Sequence, residues 1–193
     1  MKSLQEFTEI RTGFPFRERP VRVASGGCGL VQMGDLDTVT GWVKPNLERV
    51  EPPSNWESHR LRVGDVLLAS RGERNDAAQF SGDVEAVAAA HLLVIRLKPD
   101  CGVHPFFLAW FLNRPKTQAR LRVVRSGTNI PFLPVDTLRL FEIPVPSNEL
   151  QHHMVHLHQL SLQEEKLVQQ IQVRRRELMA GLMQCLLADE TRT

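Results

Sequence analysis

All 12 prolines and every glycine except Gly181 lie before residue 147, and the remainder of the chain carries no proline at all. Proline removes a backbone donor and clashes with the preceding helical turn, and glycine is the residue of turns. Residues 1–146 must therefore be broken into short elements, whereas residues 148–188 read as uninterrupted helix. Composition alone divides the chain into a first part, 1–146, and a second, 147–193.

The second part has a clear pattern. Asn148 is placed to cap a helix, with Gln151 three residues on in a capping-box arrangement. Apolar residues then recur at Leu150, Leu157, Leu160, Leu167, Ile171, Leu178 and Leu182, in steps near three, four and seven. Glu164, Arg174 and Gly181 fall on or near this seam, so the heptad is imperfect. At 1.5 Å per residue, about 38 helical residues make a rod roughly 57 Å long. A 146-residue domain cannot cover such a stripe along its whole length. The seam is expected to dock another helix.

The first part reads as an α+β domain. Leu30 to Met33, Val66 to Ala69 and Leu92 to Ile95 are short apolar runs bounded by Gly, Asp or charged residues, as buried strands are. Leu138 to Val145 alternates, with Phe141, Ile143 and Val145 expected to face the core and Pro144 marking an edge or strand end. Two helical pieces interrupt the sheet. Pro105 opens one whose core face is Phe106, Phe107, Trp110 and Phe111, and Pro115 separates it from a second, Lys116 to Val123. Gly13, Gly64 and Gly127 are read as turn residues.

Several function classes are disfavoured. With 42% apolar and 24% charged residues, nothing points to large-scale disorder, and a net charge of +2 does not by itself announce a nucleic-acid binder. Cys28, Cys101 and Cys185 are far apart, which argues against a zinc ribbon or disulfide framework and fits a reducing cytoplasm. No uncharged apolar run approaches the roughly 20 residues that span a bilayer, and the first residues lack the apolar core of a signal peptide. Phosphate-loop, dinucleotide and nucleophile-elbow glycine motifs are missing. Glu51-Pro52-Pro53-Ser54 lacks the leading Asn or Asp and the terminal aromatic of a base-amino methyltransferase. Asp65 with Glu73-Arg74-Asn75 comes nearest to a nuclease site, but Arg stands where Lys is needed. His152 and His156 share a helix face at a spacing that can hold a metal, yet no third ligand accompanies them, and they are read as surface polar residues. No catalytic residue, bound cofactor or metal site is expected.

Two local features suit DNA. Arg114, Lys116, Arg120, Arg122 and Arg125 crowd the second helical piece and can neutralise phosphates. The loop after the Val66 strand carries Arg71, Arg74 and Asn75, followed by Gln79, residue types that pair with guanine or adenine edges. Each feature is equally compatible with an ordinary solvated face or polar turn.

Taken in order, the pieces resemble one half of the specificity subunit of type I restriction–modification systems. The matching strings are Ile10-Arg11-Thr12-Gly13-Phe14-Pro15-Phe16, then Leu61-Arg62-Val63-Gly64-Asp65-Val66-Leu67-Leu68, then His104 through Leu112. They continue with Ser126-Gly127-Thr128-Asn129-Ile130-Pro131-Phe132-Leu133, Leu138, and Phe141-Glu142-Ile143-Pro144-Val145-Pro146, directly before the long helix. The resemblance covers nearly the whole chain. It implies a non-catalytic target-recognition domain that reads half of a bipartite double-stranded DNA site. It also implies a helix that docks an adenine-N6 methyltransferase subunit, which holds the S-adenosylmethionine, and in a full complex an ATP-driven restriction subunit. Ser126, Thr128 and Asn129 become candidates for base or phosphate contact at the junction turn, a role that a purely structural turn would also explain. Such subunits carry two domains and two antiparallel helices; this chain has one of each, so it would pair with a copy of itself or with a second half-subunit. Two other classes stay open: a stand-alone DNA-binding regulator, and an interaction mimic that disturbs specificity-subunit assembly.

Overall fold

The structure is a computed structural model that describes residues 1–127 and 131–190, with side chains described through Gln184. It is α+β. In chain order it comprises β1 (Lys2–Ser3), α1 (Leu4–Phe7), β2 (Thr8–Thr12), β3 (Cys28–Val31), β4 (Glu48–Val50), β5 (Val66–Ala69), β6 (Ala77–Gln79), β7 (Ala86–Ala88) and β8 (Leu92–Leu97). There follow α2 (Pro105–Asn113), α3 (Pro115–Val123), α4 (Val135–Arg139), β9 (Glu142–Ile143) and α5 (Asn148–Glu190). The fold separates into two compact units, Met1–His152 and His153–Thr193.

The first unit is built on an antiparallel sheet of order β2-β8-β5-β6. A second sheet, β4-β3-β7, pairs β3 antiparallel with β4 and parallel with β7. β1 and β9 form a short ladder that ties the N-terminus to the end of the domain. All of β5 and the first four residues of β8 are buried, which explains why both read as continuous apolar runs: a strand covered on both faces has no polar side. Leu67, Ala69, Leu92 and Val94 share one core with Val31, Ala86 and Ala88 of the second sheet. Val66, Leu68, Leu93 and Ile95 alternate to the opposite face. α2 packs against β5 and β6. Its Phe106, Phe107 and Phe111 are buried, while Trp110 is partly exposed beneath the Arg114 guanidinium, 5.0 Å from the ring centroid.

Four local expectations are corrected. Met33 belongs to a 3₁₀ turn, because the Asp35 carboxylate accepts the Gln32 N–H at 2.8 Å and closes the chain there. The expected strand from Leu138 to Val145 begins only at Glu142. Leu138 lies in α4, which starts after Pro134 when the Leu138 N–H is donated to the Pro134 carbonyl at 3.0 Å. Phe141 and Ile143 do face the core, at 6% and 0% exposure. At the start of α5, Asn148 is already helical, and the Ser147 hydroxyl and carbonyl take the Leu150 and Gln151 N–H groups. Gln151 makes no capping box. Its amide is buried, accepting the His104 N–H at 2.7 Å and donating to the carbonyls of Gly102 and Pro146. Finally, Gly64 and Gly127 do have left-handed φ, but Gly13 does not. Gly13 is needed for close approach, since a Cβ there would lie 2.1 Å from the Ala89 carbonyl oxygen.

In the second unit α5 is one continuous helix. Leu150, which opens the seam within the first unit, and Leu157, Leu160, Leu167, Ile171, Leu178 and Leu182 are all 46–66% exposed. Neither unit contains a helix long and apolar enough to cross a membrane, among the described residues.

Candidate nucleic-acid interface

The antiparallel pairing of β5 with β6 closes a loop at Ser70–Asn75, and the loop's shape is set from beneath. Asn75 is fully buried. Its N–H donates to Gln118 Oε1 at 3.0 Å, and its carbonyl accepts from Gln118 Nε2 at 2.7 Å. Its own Nδ2 donates to the Ala69 carbonyl at 2.6 Å, and its Oδ1 accepts from Arg125 Nε and Nη2 at 2.9 and 2.7 Å. Arg125 reaches further, donating to the carbonyls of Gly72 and Glu73 at 2.9 and 3.2 Å. A single guanidinium therefore threads the loop, its fixed fork of donors matched to three acceptors. Burial, and then the nearby Arg122 charge, push Arg125 below the ordinary guanidinium value. Gly72, at φ +98°, supplies the left-handed turn that presents its carbonyl in this loop.

The same logic protects the edge of the sheet. β6 is an edge strand, and Asn113 at the end of α2 acts as a partner for it: its Oδ1 accepts the Ala77 N–H at 2.9 Å and its Nδ2 donates to the Ala77 carbonyl at 2.7 Å. Gly41 and Val43 take the backbone groups of Gln79. On the other flank, the Ser70 carbonyl accepts the Leu133 N–H at 2.8 Å, Arg71 bridges Phe132, and Ser126 and Phe132 exchange both backbone hydrogen bonds at 2.8–2.9 Å. The junction segment is thereby stitched to the loop.

The expected site residues distribute as follows. Arg71 and Arg74 are exposed on the loop, Arg74 in a 3.1 Å ion pair with Asp76. Asn75 and Gln79 are buried at 0% and 6% exposure; the first holds the loop, and the Oε1 of the second is enclosed without a hydrogen-bond partner among the described residues. The basic run splits. Lys116 and Arg122 lie exposed on α3, and Arg122 is close enough to act electrostatically on Arg125. Arg120 stacks over Phe141, 4.4 Å from its centroid, and donates to the Glu142 carbonyl, while Arg114 stacks on Trp110. Ser126 is exposed beside the loop; Thr128 and Asn129 lie outside the described residues.

Sequence reasoning missed Asn113, Gln118 and the 40% exposed Phe132. Nothing in an isolated Asn or Gln on a helix announces that it will serve as a strand's hydrogen-bonding partner. Asp65, considered as a metal-site acid, is instead fully engaged: it accepts the Arg62 N–H and two donors of Arg96 at 2.7–2.8 Å. His152 packs edge-on against His104, with ring centroids 5.7 Å apart.

In fold, this chain is similar to part of the specificity (S) subunits of type I restriction–modification systems. The HsdS subunit from Thermoanaerobacter tengcongensis superposes with a TM-score of 0.60 at 16% identity, over 84% of this chain and 37% of that one. A chain from a type I R-M system, studied for complex assembly and conformational transition, gives 0.63 at 17% identity, over 89% of this chain and 40% of that one. The S subunit from M. genitalium gives 0.57 at 16% identity, over 86% and 39%. This chain thus spans well under half the length of those structures. No protein-family model matches it, and no curated protein matches it in sequence.

Proposed function

We propose that this chain is a half-length specificity subunit: a non-catalytic reader of one half of a bipartite DNA target that directs a separate type I adenine-N6 methyltransferase. The observation that carries the reading is the fold match, which covers 84–89% of this chain and 37–40% of the matched chains. The loop geometry supports it and refines the residue roles. Arg71 and Arg74, exposed on a loop held rigid by Asn75, Gln118 and Arg125, are the base-edge readers. Asn75 and Gln79 shape that loop and its strand from inside. Lys116 and Arg122 contact phosphates, Arg114 and Arg120 do so through guanidiniums stacked on aromatic rings, and Arg125 acts chiefly as the clamp. Ser126, Thr128 and Asn129 are the candidates for further base or phosphate contact at the junction. The seam of α5 takes a second helix, and the methyltransferase subunit, with a restriction subunit where one is present, assembles on the resulting complex in the cytoplasm.

The test mixes the chain with a type I methyltransferase subunit and S-adenosylmethionine and maps the adenines that become methylated. A bipartite motif that loses definition at one or two positions in Arg71→Ala or Arg74→Ala is the expected result. Each lost bidentate contact is worth about 1–3 kcal/mol of discrimination. Tight binding to one site with no methyltransferase contact would instead identify a regulator. Methyltransferase binding that blocks methylation would identify a mimic of the subunit.

A further inference from the structure

Counted in sevens from Leu150, the seam of α5 has one set of core positions at Leu157, Glu164, Ile171 and Leu178. The other set falls at His153, Leu160, Leu167, Arg174 and Gly181. Between Leu157 and Gly181, two full charges of opposite sign, Glu164 and Arg174, therefore stand in a stripe that is otherwise apolar or small. They are not placed at random. Glu164 and Arg174 lie at equal distances on either side of Gln169, and so do Leu167 and Ile171, Leu160 and Leu178, and Leu157 and Gly181.

We infer that α5 pairs antiparallel with α5 of a second copy of this chain, with the two-fold axis at Gln169, so that Glu164 of each copy meets Arg174 of the other. This rests on the reading of the seam as a helix-docking surface and commits that surface to one occupant. In an antiparallel pair, each core layer combines one position of the first set with one of the second. In this register the layers are Leu167 with Ile171, Glu164 with Arg174, Leu160 with Leu178 and Leu157 with Gly181, each occurring twice by symmetry.

Alternative pairings of two copies do worse. A parallel pair would stack Glu164 on Glu164 and Arg174 on Arg174. Sliding the antiparallel pair by one heptad sets Glu164 against Leu167 and Arg174 against Leu157, or Glu164 against Gly181 and Arg174 against Ile171. Each slipped register leaves both charges of each copy, four in the pair, in the seam without a partner, the costliest state for a desolvated ion. The flanks agree with the chosen register: Val168 meets Val168, Met154 meets Leu182, Ser161 meets Arg175 and Gln163 meets Glu177, with no like charges opposed. The paired stretch from Met154 to Leu182 covers about four heptads, within the length at which heptad patterns specify a coiled coil. Arg174 presently holds Glu177 of its own helix at 2.9 Å, with both side chains exposed. Its remaining donors are free to reach Glu164 of the second copy. A charged pair of this kind fixes register more than it adds stability.

The experiment is sedimentation velocity of the full chain over a micromolar dilution series, with helicity checked by circular dichroism. Wild type should be dimeric. Glu164→Lys and Arg174→Glu should each weaken self-association at least tenfold while remaining helical, since both side chains are exposed in the single chain. An equal mixture of the two variants, and the double swap E164K/R174E, should both recover wild-type dimerisation. Should a single swap lose helicity, Glu164→Gln, which removes the charge without opposing another, should give a smaller but measurable weakening. A monomeric wild type, single variants that dimerise normally, or rescue of E164K by wild type rather than by R174E would each overturn the proposal. A monomer that still binds duplex and supports methylation would sink the self-pairing alone. A dimer obeying the charge rule that neither binds duplex nor supports methylation would sink the specificity reading alone.

Discussion

Asn75 and Arg125 are polar residues that recognition arguments would place on DNA, yet their hydrogen bonds point inward. Asn75 satisfies four backbone or side-chain groups from a fully buried position, and Arg125 holds two loop carbonyls besides. Asn75→Ala leaves the Gln118 amide in place but orphans the Ala69 carbonyl and part of the Arg125 guanidinium. A loss of about 2–4 kcal/mol in chemical denaturation of the first unit is expected. Arg122→Ala, at an exposed position, should change stability by no more than about 0.5 kcal/mol. The same unit should be acid-sensitive through His104. Its Nδ1 accepts the Phe106 N–H as a helix cap, and burial, then the neighbouring His152, hold it below the ordinary imidazole value. His59 is lowered too, by burial and then by Arg11. A lowered imidazole binds fewer protons folded than unfolded. The stability it confers is complete above about pH 6.5 and is lost as pH falls through the folded value. Thermal melts from pH 7.5 down to 5 should show Tm falling. His104→Asn, which keeps a cap acceptor without the titration, should flatten part of that fall.

At the level of elements, α3 does two jobs with two faces. Thr117, Gln118 and Leu121 face inward and Gln118 fixes the loop, while Lys116 and Arg122 face out. Lys116→Ala and Arg122→Ala should weaken binding to every duplex alike and reduce the slope of log affinity against log salt by about one each. Arg114→Ala and Arg120→Ala should lower the slope less and cost stability as well, because each guanidinium is stacked on an aromatic ring. Asn113→Ala exposes the edge of β6 by unpairing both backbone groups of Ala77. A cost of about 1–3 kcal/mol follows, read by denaturation, together with faster amide exchange at Ala77.

On the scale of the molecule, the first turn of α5 belongs to the first unit because Gln151 is anchored in it. A fragment ending at His152 should therefore fold with a cooperative melt. One ending at Pro146 should melt several degrees lower, having left the His104 N–H and the Gly102 carbonyl without their partner. If the chain acts as a two-fold dimer, symmetry requires the two half-sites to be inverted copies of one another. Methylation mapping should then return a palindromic split motif.

The long C-terminal helix was legible in the sequence, because the absence of proline and the scarcity of glycine act through the local backbone and need no partner to be read. The strands at Val66 and Leu92 were legible too, their unbroken apolar runs reflecting burial on two faces. What the sequence could not reveal was the direction each polar side chain takes. Asn75, Gln79, Asp65, Gln118, Arg125 and Gln151 carry the same chemistry whether they face solvent or a buried carbonyl. That choice is made by contacts between residues tens of positions apart, such as Asn75 with Arg125 and His104 with Gln151. Only the folded chain brings those donors and acceptors together, so only the tertiary structure decides which polar residues are held inside and which remain exposed.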